Sequence, residues 1–301
     1  MQHLDIGLVT SAELPNLDED SQLLLPALAN RGLQVKPLVW TDPAVDWSAM
    51  KACLVRSPWD YTHQLDAFLN WARQVSRQVP LWNPLSVVEE NTHKGYLRTL
   101  EAKSIPIAPT HWLAAGTQAN LQALMTQYGW TRGILKPAVS ASSYNTLLFD
   151  LATLETAQSF LENLLADREM MVQPYLQSIE TQGELSFIFF EGRFSHAVRK
   201  IPATGDFRVQ EKYGGLTEAF TPTAAELASA EAVINAAQAS TGPLLYARVD
   251  QVYDEQGVLR LMELELTEPS LYLLHDPAAA GRFADCLQAR LAQSATPFSA
   301  R

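Results

Sequence analysis

The rhythm of apolar and polar positions changes along the chain, and each change predicts a different kind of layer. In the first third, short apolar runs alternate with amphipathic stretches. IGLVT (6–10), QVKPLVW (34–40), CLVRS (53–57) and PLWN (80–83) read as buried strands. Between them, residues 18–31 and 64–78 have helical spacing, the second through Phe68, Trp71, Ala72 and Val75. Strands separated by helices predict a parallel, doubly wound α/β sheet.

The middle third predicts a helix near 93–103, strands at 105–113, 132–137 and 146–150, and a helix at 154–167. In the last third the strands become neighbours. GELSFIFF and FSHAVRKIP flank Glu191-Gly192-Arg193 as one hairpin, and LLYARVDQVYDEQGVLRLMELEL turns at Gln256-Gly257 as a second. Helices at 222–239 and 278–293 cover them, so this part reads as α+β. At 301 residues the chain exceeds one ordinary core, and two or three subdomains are expected.

Charge narrows the partners. A net charge of −11 argues against nucleic acid or an anionic membrane, both of which need a basic footprint. The start MQHLDIGLVT has neither a basic nor an apolar leader region, and no 18-residue apolar stretch occurs; a cytoplasmic protein is expected. The two cysteines, Cys53 and Cys286, occupy apolar positions of periodic segments and read as buried thiols.

The second hairpin is where the apolar pattern is broken. RLMELELTEPS places Glu263, Glu265 and Glu268 in an apolar run. A two-residue loop at Gln256-Gly257 sets Asp250 opposite Glu263 and Arg248 opposite Glu265, all on one face, with Val249, Met262, Leu264 and Leu266 on the other. Opposed bare carboxylates repel, and a hard cation such as Mg²⁺ turns that repulsion into a site. A solvated face with an Arg248–Glu265 pair explains the same letters.

Cations sit at strand ends and in loops. Lys136 ends RGILKP and is followed by AVSASSYNT, whose small and hydroxyl residues would let backbone N–H groups reach phosphate oxygens. Lys94 lies near a helix start capped by Asn91 or Thr92, and Lys200 precedes IPATGDFRVQ, the loop that carries Arg208. Each alone also reads as a surface charge. VQPYLQSIETQGELS offers Gln173, Glu180 and Glu184 to a purine and ribose, or is an ordinary crossover. RSPWDY follows the third parallel strand, where open sheets bind ligands; Arg56, Trp59 and Tyr61 there suit a small carboxylate, against the alternative of a packed loop.

Taken in order, Lys94, ILKP, VQPYL, GELSFIF, RKIPATGDFRVQEKYGG, ARVD and MELELTEP resemble the ATP-grasp ligases over nearly the whole chain. The last three blocks resemble bacterial glutathione synthetases. RSPWDY with KPAVSASSYNT and ELTEPSLYL is more similar to the ATP-grasp enzymes that close the ring in D-cycloserine biosynthesis and their relatives. The resemblance implies a pre-ATP-grasp domain at 1–88, a central subdomain at 89–173 and a C-terminal subdomain with the metal site at 174–301. It implies that Lys94 and Lys136 hold ATP phosphates under a loop, 138–145, with Ser140, Ser142 and Ser143. Gln173, Tyr175 and Leu176 would line the adenine hinge, and Glu180 or Glu184 would meet the nucleoside. Asp250, Glu263 and Glu265 would coordinate two Mg²⁺. Arg208, with Lys200 nearby, would sit over the γ-phosphate. Arg56, Ser57, Trp59 and Tyr61 would face the substrate.

Two features depart from the family pattern. Segment 137–150 has no glycine where many members have a Gly-rich cover, and Glu265 stands where glutathione synthetases have Asn. The expected reaction is ATP-dependent activation of a small amino-acid-like carboxylate as an acyl phosphate, followed by amide formation. Loops 138–145 and 202–215 would close as lids. A nucleotide-binding relative without turnover is the alternative, and dimers are common in such ligases.

Overall fold

In the computed structural model, which describes residues 4–141 and 143–294, the described strands form three sheets. The first is parallel: β1 (Leu4–Thr10), β2 (Val35–Val39), β3 (Met50–Ser57) and β4 (Leu81–Trp82), in the order β2-β1-β3-β4. β1 and β3 are central and buried on both faces, which explains their continuous apolar runs. The helix expected at 18–31 is two helices, Glu19–Gln22 and Leu24–Ala29. Pro26 has no N–H to give the Gln22 carbonyl, so the ladder breaks there.

The second sheet contains β5 (His111–Leu113), β6 (Arg132–Pro137), β7 (Leu147–Asp150) and β8 (Met170–Pro174), antiparallel in the order β5-β8-β6-β7. Helices Leu121–Tyr128 and Leu154–Leu165 cover it through Leu124, Met125, Leu161 and Leu165. The first of these helices was not anticipated, although its end signals are in the sequence. Asn120 accepts from the Ala123 N–H at 2.8 Å, and Gly129 ends the helix at φ +68°.

The third sheet is antiparallel, with β9 (Glu184–Phe190), β10 (Arg193–Ile201), β11 (Leu216–Phe220), β12 (Tyr246–Tyr253) and β13 (Leu259–Glu265) in the order β11-β10-β9-β12-β13. β11 was not foreseen. It is a partly exposed edge strand, so it lacks the apolar alternation that marks a buried one. Strand alternation divides β9: Phe187 and Phe189 pack under helix Ala224–Thr241, while Ile188 and Phe190 meet helix Ala279–Ser294 and the first sheet.

Asn83 joins the first and third sheets. Its side chain, fully buried, donates to the carbonyls of Tyr246 (2.9 Å) and Leu266 (2.8 Å) and accepts from the Leu245 N–H (2.8 Å). Asn83→Ala would leave those three backbone groups unpaired and dry. Urea unfolding should register a loss of about 2–4 kcal/mol; a change below about 0.5 kcal/mol would mean that the joint is held elsewhere.

The helix expected near 93–103 is Tyr96–Ala102, and a separate helix, Leu85–Asn91, precedes it. Asn91 is therefore not an N-cap. Its amide donates to the Leu264 carbonyl at 2.8 Å and accepts from the Leu266 N–H at 2.7 Å. The Tyr96 hydroxyl accepts from the Leu264 N–H, and Leu261 exchanges backbone bonds with Pro106 and Ala108. The outer edge of β13 is thus satisfied by the central part of the chain rather than left open. That attachment fixes β13, the strand carrying Glu263 and Glu265, against the segment that leads to Lys94.

Candidate active site

The hairpin β12–β13 does oppose Asp250 to Glu263 and Arg248 to Glu265, but by a different route from the one expected. Tyr253 pairs with Leu259, and the Asp254 N–H bonds the Val258 carbonyl at 2.9 Å. The loop is therefore Glu255-Gln256-Gly257, three residues with Gly257 at φ +74°. A bulge at Met262 then restores the register, since Gln251 faces Leu261 while Asp250 faces Glu263. The bulge also turns Met262 toward a cleft instead of the core face where the simple alternation had placed it.

That cleft, of 470 Å³, lies between the second and third sheets and reaches the first. Asp250, Glu263 and Glu265 line it, each offering a carboxylate oxygen within 4.8 Å of the others. The face is not an open surface: Asp250 is 2% exposed, while Glu263 and Glu265 are partly exposed within the cleft. The Arg248–Glu265 pair of the alternative reading is present within the cluster. Arg248 brackets Asp250 at 2.9–3.1 Å, bonds Glu265, and reaches the Ser270 carbonyl at 3.2 Å.

The electrostatics are divided. Burial would push Asp250 up, but Arg248 and Lys200 outweigh it and hold the acid down to about 2. Burial raises Glu265 to about 8, with Asp250 and Glu263 adding to the rise against the pull of Arg248. Burial also opposes ionisation of Glu263, yet Lys94 and Lys136 keep it below its ordinary value. A cluster of three oxygen donors in which one acid is forced toward its neutral form fits a hard divalent cation, which relieves the repulsion.

Lys94 Nζ lies 3.1 Å and Lys136 Nζ 3.8 Å from Glu263. Both are nearly buried, and Lys94 also donates to the Ser140 carbonyl at 3.0 Å. Lys136 comes from the end of β6 and Glu263 from β13, so two sheets place opposite charges across one gap. Lys200 lines the same cleft and pairs with Glu184 and, at 3.5 Å, with Asp250 of the triad. Those acids raise its pKa against the opposing effect of burial.

Ser140, Ser143, Gln173, Tyr175, Leu176, Glu184 and Arg208 also line the cleft; Ser142 lies outside the described residues. Gln173 donates to the Thr110 hydroxyl at 2.8 Å, while its own Oε1 is buried with no partner among the described residues. Glu180 does not line the cleft. It is exposed, accepting from the Tyr175 hydroxyl (2.8 Å) and Arg132 (3.2 Å), so of the two glutamates offered for the nucleoside only Glu184 reaches inward. The loops 138–145 and 202–215 meet over the cleft: the Ser143 hydroxyl donates to Gln210 at 3.0 Å. Tyr144 packs edge-on against His63, from the short helix Trp59–His63 that follows β3, with ring centres 4.7 Å apart. Gly215 closes the second loop on itself, since a Cβ there would fall 2.2 Å from the Val209 carbonyl oxygen.

At the other end, Trp59 and Tyr61 line the cleft, with the Trp59 indole N–H donating to the Glu268 carbonyl at 3.0 Å. Arg56 and Ser57 do not. Arg56 is completely buried, donating to the carbonyls of Pro269 (2.6 Å) and Val55 (3.3 Å), and Ser57 donates to Asp18 at 2.5 Å. The direct clamp expected of Arg56 is thus replaced by a strut under the loop: its strand turns it inward against the Tyr246 ring. Sequence reading missed Asp18, Asp20 and Tyr272 on this wall, and it noted Glu268 without giving it a place in the site. Asp18 and Asp20 follow the C-terminal end of β1, so the same strand-end rule that flagged RSPWDY could have found them. Tyr272 has no periodicity to mark it, and its signal was its place in the block ELTEPSLYL.

Comparison with known proteins agrees with this architecture. Residues 6–83 match the family described as D-cycloserine synthetase DcsG, N-terminal domain, and residues 100–270 match the prokaryotic glutathione synthetase ATP-grasp domain. The cycloserine biosynthesis protein DcsG of Streptomyces lavendulae is 31% identical over 294 residues, 95% of this chain and 98% of that protein. The crystal structure of D-cycloserine synthetase DcsG superposes with a TM-score of 0.88 at 31% identity, covering 95% of this chain and 99% of the other. D-Alanine–D-alanine ligase from Bacillus anthracis shares the fold, with a TM-score of 0.65 at 14% identity over 96% of this chain and 98% of that one. The chain belongs to the ATP-grasp family of ATP-dependent, Mg²⁺-using ligases. Within that family its similarity to D-cycloserine synthetase extends over the parallel domain as well as the nucleotide-binding part.

Proposed function

We propose that this ligase activates a small carboxylate as an acyl phosphate and captures it with nitrogen, closing a ring when both groups belong to one molecule. The observation that carries the reading is the arrangement of Lys94, Lys136 and the Asp250–Glu263–Glu265 triad in one cleft with the Trp59–Tyr61 wall. A nucleotide and a small second ligand would meet there. The ring-closing form is supported by the 31% identity to D-cycloserine synthetase over 95% of the chain.

Adenine would lie by Gln173, Tyr175 and Leu176, its exocyclic amine supplying the donor that the buried Gln173 Oε1 lacks. Glu184 stands on the nucleoside side, and Lys94 and Lys136 face the phosphates with the loop bearing Ser140 and Ser143 over them. Asp250, Glu263 and Glu265 would hold magnesium, two ions in this reading, and the metal when bound supplies charge neutralisation at the phosphates. A carboxylate oxygen attacks the γ-phosphorus, the bond to the bridging oxygen breaks, and ADP leaves. The nitrogen then adds to the acyl carbon, phosphate departs, and the nitrogen loses a proton as the amide forms. Arg208 acts on the charge at the γ-phosphate, with the buried Lys200 fixing Asp250 and Glu184 behind it. The protein supplies no covalent nucleophile; it positions, neutralises and excludes water.

A screen for ADP release over amino-acid carboxylates in the presence of hydroxylamine tests this. Carboxylate-dependent ADP with matching hydroxamate is the expected result. ATP binding without carboxylate-dependent ADP under any substrate would instead describe a nucleotide-binding relative lacking turnover.

A further inference from the structure

Arg208 is gripped on two sides. Its Nε donates to Asp206 Oδ1 at 3.0 Å and its NH2 to Oδ2 at 2.7 Å, a two-point ion pair. The guanidinium carbon sits 3.7 Å from the centre of the Tyr213 ring. Asp206 is itself fixed, because Oδ1 also accepts the backbone N–H groups of Phe207 (2.7 Å) and Arg208 (2.9 Å). NH1 takes no part in the ion pair, on a side chain that lines the cleft. We propose that Asp206 is a positioning residue, holding Arg208 by its Nε–NH2 edge, with Tyr213 behind the plane, so that NH1 is presented to the phosphoryl group being transferred.

The physical case is one of preorganisation. A free arginine side chain carries about 2 kcal/mol of rotamer entropy, and the lid loop would forfeit that each time the phosphate bound. Locking the guanidinium beforehand removes the loss at the moment of reaction. The bond to Arg208 holds the Asp206 carboxyl down to about 2, so the pair stays charged across the working pH range. The loop can carry such a rigid element because Gly205 and Gly214 supply left-handed backbone on either side (φ +84° and +83°).

This inference rests on the role proposed for Arg208, and a double-mutant cycle separates the two. D206A should lower kcat by about 10–100-fold with the KM for ATP within about threefold of wild type. D206N keeps an oxygen for the backbone N–H groups and should recover part of the loss. In an R208A background, D206A should cost nothing further. Should R208A itself leave kcat unchanged, the proposed role of Arg208 fails. An impaired R208A beside a D206A enzyme with wild-type or raised kcat, or a full extra loss from D206A in the R208A background, overturns the positioning role alone. Thermal melts of all variants guard against misfolding, and Y213L, expected to follow D206A, gives a second route to the same answer.

Discussion

Arg208→Ala is expected to lower turnover by about 10³-fold or more while leaving ATP affinity within about threefold. The asymmetry follows from where the residue sits. Lys94 and Lys136 are nearly buried, fixed on the central part of the chain beside Glu263, and they face the cleft before any ligand arrives. Arg208 stands on the loop 202–215, with its charge already satisfied by Asp206, so ground-state binding should gain little from it. In the proposed mechanism its contribution would grow only as charge builds on the phosphoryl oxygens during transfer, giving a loss in kcat rather than in KM. Steady-state rates together with calorimetric ATP binding distinguish the two. Equal losses in both would show Arg208 to be an ordinary binding contact.

Glu263→Gln should be the other severe substitution, costing about 10²–10³-fold in turnover and raising the magnesium concentration needed for half-maximal rate. The change is nearly isosteric, yet it removes one of three carboxylates from the triad and takes the counter-ion from both lysines. The glutamate side chain is 27% exposed, so the stability cost should stay modest, about 1–3 kcal/mol. Rates measured across a magnesium series at saturating ATP provide the check. A variant with wild-type magnesium dependence would remove the triad from consideration as the metal site.

The opposition of Asp250 and Glu263 was legible in advance, but it survived through compensation. The loop is one residue longer than assumed, and the bulge at Met262 takes up the difference. Period-two reasoning holds within a strand but fails across an inserted residue, and here the insertion shows as the buried leucines change parity, from Leu259 and Leu261 to Leu264 and Leu266. The same failure put Met262 on the wrong face. Arg56 failed for a related reason: strand ends point ligand-ward on average, but which side chain turns inward depends on the packing beneath, here the Tyr246 ring and the Pro269 carbonyl.

By itself, the sequence determined the layer types, the resemblance to ATP-grasp ligases, and the acids and lysines from which the cleft is made. Those follow from local periodicity and from motifs whose spacing along the chain is fixed. Beyond the pairing within the acidic hairpin, only the tertiary structure decided which of them meet. Lys94 and Glu263 are brought together through Asn91 and Tyr96 bonding β13, Asp206 was revealed as the partner of Arg208, and Asp18, Asp20, Glu268 and Tyr272 joined a wall assembled from distant segments. Such pairings are set by long-range hydrogen bonds and buried contacts, and neither leaves a periodic trace in the order of residues.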